Sequence, residues 1–403
     1  MAVAMAFQSI TFGMTVYGYG FWVEPWSQEF GASRGEIMIG LSLMNGASAA
    51  LSPFVGRALD QYSIRWIVCI GAVVLAAGFL VISTATGIQT VLASYTLLIS
   101  IAVVLVGPMS ASTLMAKWFT KNRGRAIGLS SVGTSLGGFI MPGVIAFMLI
   151  EYGWRQAHVY LAFMALVLIV PLTLWIVRNS PEDKGVPPEA MDEHPNSPVA
   201  LPDASVWTTK TILKDKTFWT IAAALGLMMM PFSGTIPNLV PYAQEAGIST
   251  ADASIMMTLL AGGGILSKII MGSLADRVPL RYLVWTNSLL LGTPIVLLMG
   301  DLGYAELLLV STLIGLSTGG FTPLIGAAIG SRFGPAAFGR VFGLLNPVTL
   351  TMALMGPPMM GYIYDATQSY NLALQIFTGM IVASAIVTYF LRITPATHGS
   401  KEG

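Results

Sequence analysis

The segment GRALDQYSIR at residues 56–65 returns at residues 272–281 as GSLADRVPLR, with glycine, aspartate and arginine in the same register. The offset between the two copies is 216 residues. Other features recur at an offset of 215: Gly124-Arg125 with Gly339-Arg340, Gly128-Leu129 with Gly343-Leu344, Pro108 with Pro323, and Pro142 with Pro357. Chance explains one such match more easily than four in register. We therefore infer that one structural unit occurs twice, in the same orientation.

The composition places this repeated unit in a membrane. The 403 residues are 55% hydrophobic and only 10% charged, and the mean hydropathy is +0.74. Soluble domains carry about 25% charged residues, so a surface of this composition is poorly suited to water. We expect a polytopic protein embedded in the lipid bilayer.

Charge and ligand content exclude several other classes. The 20 Lys and Arg residues are balanced by 19 Asp and Glu, which leaves no basic surface for nucleic acid. Cys69 is the only cysteine, and His158, His194 and His398 are far apart in sequence. A disulfide framework, a zinc site and a haem site therefore lack ligands, and we expect no metal and no cofactor. No catalytic constellation or nucleotide-binding loop is recognisable, so an enzyme is not expected.

Twelve apolar runs are long enough to cross a bilayer core of about 30 Å. Helices are favoured over a barrel because the runs lack strict apolar and polar alternation. The expected spans are 4–30, 36–58, 64–84, 88–116, 125–150, 154–178, 217–243, 250–275, 280–299, 303–331, 338–365 and 369–392. Residues 179–216 are rich in proline and charge and predict a linker. The sequence thus predicts an all-α membrane protein with an N-terminal six-helix bundle at 1–178 and a C-terminal one at 217–403.

The distribution of basic residues predicts the orientation. Arg34 and Arg155 would lie outside and Lys268 falls within the eighth span, whereas the other 17 of the 20 lie on the side of the termini and the linker. Lysine and arginine in short loops stay in the cytoplasm. We therefore expect both termini to be cytoplasmic, and the protein to lie in a bacterial inner membrane.

The repeated loop motif predicts a structural or gating role at the cytoplasmic rim. Its glycine lets two helices approach, and its aspartate and arginine can pair with charges at neighbouring helix ends. The residues given this role are Gly56, Asp60, Arg65, Gly272, Asp276, Arg277 and Arg281, together with Arg123 and Arg125. The alternative is that these are ordinary positive-inside loops with a helix-capping carboxylate.

A parallel repeat of six plus six helices is the arrangement of the major facilitator transporters. Residues 117–137, KWFTKNRGRAIGLSSVGTSLG, resemble the aromatic-Phe-x-Lys-x-Arg-x-x-Ala-x-Gly signature at the start of helix five in the monocarboxylate transporter family. Residues 29–37, EFGASRGEI, look like the bacterial members and the related oxalate:formate antiporters. The resemblance implies a major facilitator fold of two pseudo-symmetric bundles, acting as a monomer, and alternating-access carriage of small organic anions, often with a proton.

Lys268 is the main candidate for the substrate site. In monocarboxylate and oxalate carriers an arginine in helix eight holds the substrate carboxylate, and the motif alignment places Lys268 there. Eight residues separate Lys268 from Asp276, roughly 12 Å of helix, and an unpaired charge at such depth costs at least about 2.5 kcal/mol. The alternative is a lysine that extends to the cytoplasmic surface along its aliphatic stem. The chain departs from the animal members, which carry an aspartate at Gly264 and a lysine at Tyr17.

We therefore expect Lys268 to bind the substrate anion and to carry the coupled proton. Burial disfavours the ammonium and an arriving carboxylate favours it, so anion and proton would cross together as a neutral pair. Additional polar residues predicted to line the pocket are Tyr17, Tyr19, Asn45, Ser110, Ser131 and Asn346. The alternative for these six is helix packing and interhelical hydrogen bonding.

The sequence leaves several carrier functions open. The leading hypothesis is proton-coupled symport of a small monocarboxylate. The alternatives are exchange of carboxylates, as in oxalate:formate antiporters, and efflux of drugs or metabolites. Efflux of cations is less favoured because the deep charge, Lys268, is positive.

Overall fold

The computed structural model describes residues 1–119, 123–178, 207–274 and 278–390. Within these ranges the chain is organised almost entirely as helices. The α-helices are α1 (Ala2–Phe12), α2 (Val23–Phe30), α3 (Arg34–Gln61), α4 (Ile64–Ser83), α5 (Ile88–Ser94), α6 (Ser100–Val106), α7 (Pro108–Trp118), α8 (Arg123–Ile176), α9 (Thr209–Lys214), α10 (Lys216–Glu245), α11 (Thr250–Leu274), α12 (Leu280–Leu297), α13 (Tyr304–Thr318), α14 (Phe321–Thr367) and α15 (Asn371–Tyr389). Helices α1–α8 form the first half and α10–α15 the second half.

Seven helical stretches within the described residues are long and apolar enough to cross a membrane. The longest, Ala126–Ile176, has 51 residues, which at about 1.5 Å each is more than twice the thickness of a bilayer core. Two shorter apolar stretches are Ala2–Tyr17 and Tyr304–Thr318. The architecture agrees with the predicted class, while the number of twelve crossings stays a prediction.

Two of the predicted spans are interrupted helices. The first contains a π-helix at Gly13–Tyr17 and a 3-10 helix at Tyr19–Trp22 between α1 and α2. The fourth contains a π-helix at Tyr95–Ile99 between α5 and α6, followed by an extended Gly107 and by Pro108 at the start of α7. Each change of helical type rotates the residues that follow around the helix axis. Periodicity alone therefore misplaces side chains in these two spans.

Other predicted boundaries differ from the structure. Helix α8 joins the fifth and sixth predicted spans, and its only non-helical residue, Gly153, has φ 72° and ψ 167°, a conformation that glycine adopts without strain. Helix α14 runs through the predicted break at residues 332–337. The short helix α9 lies within the predicted linker and buries Ile212. Ile212 is thus part of the hydrophobic core, although it lies within the predicted linker.

The first half depends on a close crossing between α1 and α8. A Cβ atom on Gly137 would overlap the Ser9 carbonyl oxygen and lie 2.9 Å from the Gly13 nitrogen. Both are backbone atoms, which cannot move aside as a flexible side chain can. The crossing sets the position of the π-helix that follows α1.

Gly137→Ala is expected to destabilise the protein because the helices must separate to admit a methyl group, a strain of about 1–3 kcal/mol. The measurement is the thermal unfolding midpoint in detergent micelles. Gly143→Ala on the same helix is the matched control, since a Cβ atom there would have nothing within 4 Å. Equal midpoints for the two variants would contradict the close crossing.

The two halves meet along two helix pairs, α3 with α14 and α8 with α11. We call the end where α3 begins the Arg34 end, and the opposite end the linker end. Toward the Arg34 end, a Cβ on Gly361 would lie 2.7 Å from the Gly35 Cα atom, and the Ser42 hydroxyl donates to the Leu354 carbonyl at 2.6 Å. Toward the linker end, Phe54 of α3 is 66% exposed and Gly343 of α14 would have nothing within 4 Å of its Cβ. Helices α3 and α14 therefore converge at the Arg34 end.

Arg34 ties the halves together at this end. Its Nη2 atom lies 2.8 Å from Glu245 Oε2, and its Nη1 atom donates to the Tyr370 hydroxyl at 2.8 Å. The guanidinium also stacks 3.8 Å from the centre of the Tyr364 ring. The backbone N–H groups of Arg34 and Gly35 donate to the two carboxylate oxygens of Asp365 at 3.0 and 2.8 Å. An acid of the second half thus caps a helix of the first, where the helix dipole favours negative charge.

Arg34→Ala is expected to shift the protein toward a state that is open at the Arg34 end. The variant loses about 1–2 kcal/mol of interaction free energy between the halves. The fraction of molecules that are open at the Arg34 end therefore rises several-fold. The measurement is the distance distribution between spin labels at Glu151→Cys and Asn371→Cys, in a Cys69→Ala background. Arg155→Ala is the control because Arg155 pairs with Glu29 at 2.6 Å within the first half. Identical distributions for both variants would remove Arg34 from the closure.

A second ion pair lies at the linker end, within the second half. Arg332 Nη2 is 2.9 Å from Asp215 Oδ2, and Asp215 Oδ1 accepts from the Thr217 N–H at 2.7 Å as the N-cap of α10. Burial alone would raise the pKa of Asp215, but the hydrogen bonds from Arg332 and Thr217 outweigh it and lower the pKa. The pair therefore stabilises the fold above the ordinary carboxyl pKa, and this stability is lost as the pH falls through the lowered pKa.

The variant Asp215→Asn keeps the helix cap and removes the titrating charge. We expect it to melt at a lower temperature than the unmodified protein near pH 6, and the difference to shrink as the pH falls from the ordinary carboxyl pKa through the lowered pKa of Asp215. The measurement is the thermal midpoint as a function of pH. A difference that is independent of pH would contradict the assigned ion pair.

Candidate functional site

Lys268 lies in the seam between the two halves. Its Nζ atom donates to the Ser131 carbonyl at 2.9 Å and to the Thr134 hydroxyl at 2.9 Å. Lys268 belongs to α11 of the second half, whereas both acceptors belong to α8 of the first. The side chain is half-buried. The amine is therefore held by the opposite half, and the alternative of a lysine extended into water at the linker end does not describe this structure.

The two acceptors are arranged as one unit. The Thr134 hydroxyl donates to the Ser131 carbonyl at 2.9 Å, which leaves its lone pairs available to the lysine. The Ser131 hydroxyl itself donates to the Gly128 carbonyl at 2.7 Å. Ser131 thus contributes its backbone oxygen to the site, and Thr134 contributes its side chain.

Tyr17 packs against α8 one turn beyond Ser131 and Thr134. A Cβ on Gly138 would lie 2.6 Å from the Tyr17 ring, and the Tyr17 side chain interacts with the Ser135 side chain. A Cβ on Gly264 would lie 3.5 Å from Ser135 Oγ and 2.7 Å from Thr318 Oγ1. Polar groups therefore meet one helical turn from Lys268, and they come from the π-helix after α1 and from α8, α11 and α13.

The glycine triplet that begins at Gly262 admits neighbouring helices. A Cβ on Gly263 would lie 2.7 Å from the Thr312 carbonyl oxygen of α13, and one on Gly262 would lie 3.6 Å from the Phe139 ring of α8. Directly after α13, a Cβ on Gly319 would lie 2.5 Å from the backbone nitrogen of Lys268. The space that these glycines leave is filled by helices, and this packing fixes the backbone from which Lys268 projects.

Tyr19 and Ser110, two other predicted pocket residues, hydrogen-bond to backbone carbonyls of their own half. Tyr19 is buried in an aromatic cluster with Trp26 and Tyr95, and its hydroxyl donates to the Ile37 carbonyl. Ser110 is buried and donates to the Leu105 carbonyl at 2.6 Å, across the Gly107–Pro108 break.

Two asparagines among the predicted pocket residues are exposed. The Asn45 amide donates to the Leu41 carbonyl one turn earlier at 2.9 Å. The Asn346 backbone carbonyl accepts from the Thr349 hydroxyl at 3.1 Å. Neither hydrogen-bonds to Lys268, so among the predicted residues Ser131 bonds to the lysine directly and Tyr17 packs against the next turn of α8, while the pocket role of the other four stays a prediction.

The repeated loop motif is described only in part. Asp60 is exposed, and none of the described basic side chains lies within salt-bridge distance of it. The Arg65 guanidinium stacks on Trp66 at 5.4 Å, and that of Arg281 on Tyr389 at 5.8 Å. The remaining motif residues are Gly56, which lies beside Met109; Asp276 and Arg277, which fall outside the described residues; and Gly272, Arg123 and Arg125, which are described by their helical backbone alone. The gating role of the motif stays a prediction.

Sequence reasoning missed Thr134, Ser135 and Thr318. A signal for the first was available, because Thr134 follows Ser131 by three residues and therefore lies on the same helix face. Nothing in the sequence relates Ser131 or Thr134 to Lys268, which lies 134 positions after Thr134. Among the described residues, no group of three or more His, Cys, Asp or Glu side chains is placed to hold a metal ion.

Comparison with known proteins identifies the family. The family model described as Major Facilitator Superfamily matches residues 5–300 and 224–403. Human monocarboxylate transporter 11 is 24% identical over 404 residues, covering 96% of this chain and 81% of the relative. The uncharacterized MFS-type transporter YcxA of Bacillus subtilis is 22% identical over 388 residues, covering 92% of this chain and 89% of the relative.

A solved structure supports the same fold. The crystal structure of a bacterial homolog to the human lysosomal transporter Spinster, in an inward-facing and unoccupied conformation, matches with a TM-score of 0.69 and 15% identity. The match covers 97% of this chain and 94% of that one. The predicted fold class and the predicted resemblance are therefore confirmed. The chain belongs to the Major Facilitator Superfamily and is an integral membrane transporter, not an enzyme.

Proposed function

We propose that the protein is a secondary carrier of small monocarboxylates, which it moves together with a proton by alternating access. The observation that carries this proposal is the Lys268 ammonium, held in the seam between the halves by two uncharged acceptors. Among the described residues no carboxylate lies within salt-bridge distance of it. A cation in a low-dielectric seam attracts an anionic ligand strongly.

The hydrogen bonds of Lys268 leave one donor for such a ligand. An ammonium has three N–H donors, and two of those on Lys268 go to α8. Among the described residues the third has no acceptor, so it is available to a carboxylate oxygen. The polar groups around Tyr17 and Ser135 lie one turn away and would contact the remainder of a small substrate.

Proton coupling follows from the charge balance. A carboxylate bound to the Lys268 ammonium forms a neutral pair, and a neutral pair crosses a low-dielectric region at less cost than either ion alone. Release of the anion and of the proton from the same residue would then complete a symport cycle. The names of the curated relatives, several of which are monocarboxylate transporters, support the same substrate class.

We also propose an orientation in the membrane. We assign the linker end, toward which the sequence places most of the basic residues, to the cytoplasm of a bacterial inner membrane. The Arg34 end is then the outer end, and the structure corresponds to a carrier closed toward the outside. We propose that a single chain performs the cycle, because each of the two halves contributes groups to the Lys268 site.

The test is uptake of radiolabelled lactate and pyruvate by proteoliposomes with an imposed pH gradient, acid outside. We expect uptake that depends on the gradient in the unmodified protein, and loss of most of it in both Lys268→Ala and Lys268→Arg, with exchange of labelled for unlabelled carboxylate retained in Lys268→Arg alone. Arginine keeps the charge that binds the anion but does not release a proton, whereas alanine removes both.

The matched control is Lys210→Ala, because Lys210 is an exposed lysine of α9. Its uptake should equal that of the unmodified protein. Undiminished gradient-dependent uptake in Lys268→Ala would overturn the proposed site. Uptake that requires a carboxylate inside the vesicles, with no dependence on the pH gradient, would identify an exchanger instead.

A further inference from the structure

We propose that the Ser131 carbonyl and the Thr134 hydroxyl accept the hydrogen bonds of Lys268 in place of the substrate carboxylate once the anion and the proton have left, so that the carrier can return across the membrane empty. This inference rests on the proposed function, since it assumes that Lys268 binds the transported anion. It makes Thr134 a positioning residue, one that acts through Lys268 and determines the balance between net transport and exchange.

The first argument is the location of the bonds. Lys268 and its two acceptors belong to different halves, and both bonds are 2.9 Å long. A carrier of this fold works by moving one half against the other. Bonds across the seam therefore stabilise a state in which α8 and α11 are together, and these bonds join the two helices directly.

The second argument is the polarisation of the acceptors. Thr134 uses its proton on the Ser131 carbonyl at 2.9 Å, so its oxygen presents lone pairs to the ammonium. The carbonyl and the hydroxyl thus offer two partial negative charges side by side. A carboxylate presents two oxygens to a cation in a similar way, with a full charge instead of a partial one.

The third argument is the electrostatic requirement of the empty carrier. Release of the anion and of the proton leaves Lys268 as a neutral amine with two N–H donors, and buried donors without acceptors are disfavoured. A carrier with such a site completes the empty return step slowly and favours exchange of one anion for another. Acceptors supplied by the opposite half remove that penalty while remaining weaker than a carboxylate, which can then bind when it is present.

Proteoliposomes separate the two modes of transport. Net uptake into empty vesicles requires the empty return step, whereas exchange of labelled for unlabelled lactate does not. In Thr134→Val, which keeps the shape of the side chain and removes the acceptor, we expect the ratio of net uptake to exchange to fall about fivefold, the effect of losing one hydrogen bond. Thr134→Ser, which retains the hydroxyl, should restore the ratio.

The control is Thr173→Val on the same helix. Thr173 is fully buried and its hydroxyl has no partner among the described residues, so the same substitution there removes no bond to Lys268. Its ratio should equal that of the unmodified protein. Thermal midpoints of all variants in micelles establish that each is folded.

The outcomes separate the inference from the proposed function. An unchanged ratio in Thr134→Val, with transport intact, would overturn the inference and leave the substrate assignment standing. An equal fall in Thr173→Val or a failure of Thr134→Ser to restore the ratio would also overturn it, because the effect would then be structural. Absence of both net uptake and exchange of any tested monocarboxylate in the unmodified protein would instead remove the proposed function.

Discussion

The central constraint on this structure is the position of one ammonium group in a membrane. Lys268 projects from α11 into a region where water cannot solvate its charge freely, and its hydrogen bonds must come from protein or ligand. The protein supplies them from the opposite half, through a backbone carbonyl and a hydroxyl of α8. Because the donor and acceptors belong to different halves, the electrostatic state of the lysine and the separation of the halves are physically linked. This link is the basis of both the substrate proposal and the return-step proposal.

Close helix packing is what brings the acceptors within reach. Gly137 lets α1 and α8 cross with backbone in contact, and Gly263 does the same for α11 and α13. Packing of this kind is how membrane helices associate, since lipid provides no hydrophobic force between them. The glycines therefore contribute to function indirectly, by fixing the two backbones that face each other across the seam.

The two halves contact each other through different chemistry at the Arg34 end and along the α8 and α11 pair. At the Arg34 end, charged and aromatic groups of both halves interlock, and Asp365 caps the start of α3. Along the α8 and α11 pair, the bond is between a lysine and uncharged acceptors. The polar closure at the Arg34 end needs no substrate, whereas the Lys268 bonds involve the group assigned to substrate binding. We therefore expect substrate binding to change the contact between α8 and α11 more directly than it changes the contacts at the Arg34 end.

The sequence by itself determined the membrane environment, the duplicated architecture and the depth of Lys268, because composition, repeat spacing and distance from a loop are properties of the linear chain. It also predicted that Tyr17 and Ser131 lie near that lysine. It could not decide between Tyr17 and Tyr19, since residues two apart on a helix point in nearly opposite directions, and the π-helix and 3-10 helix between α1 and α2 rotate them further. Only the tertiary structure placed Thr134 opposite Lys268 and Arg34 against Glu245. Contacts between residues more than 100 positions apart depend on how helices cross, and the crossings are set by side-chain volume and glycine contacts that no local pattern encodes.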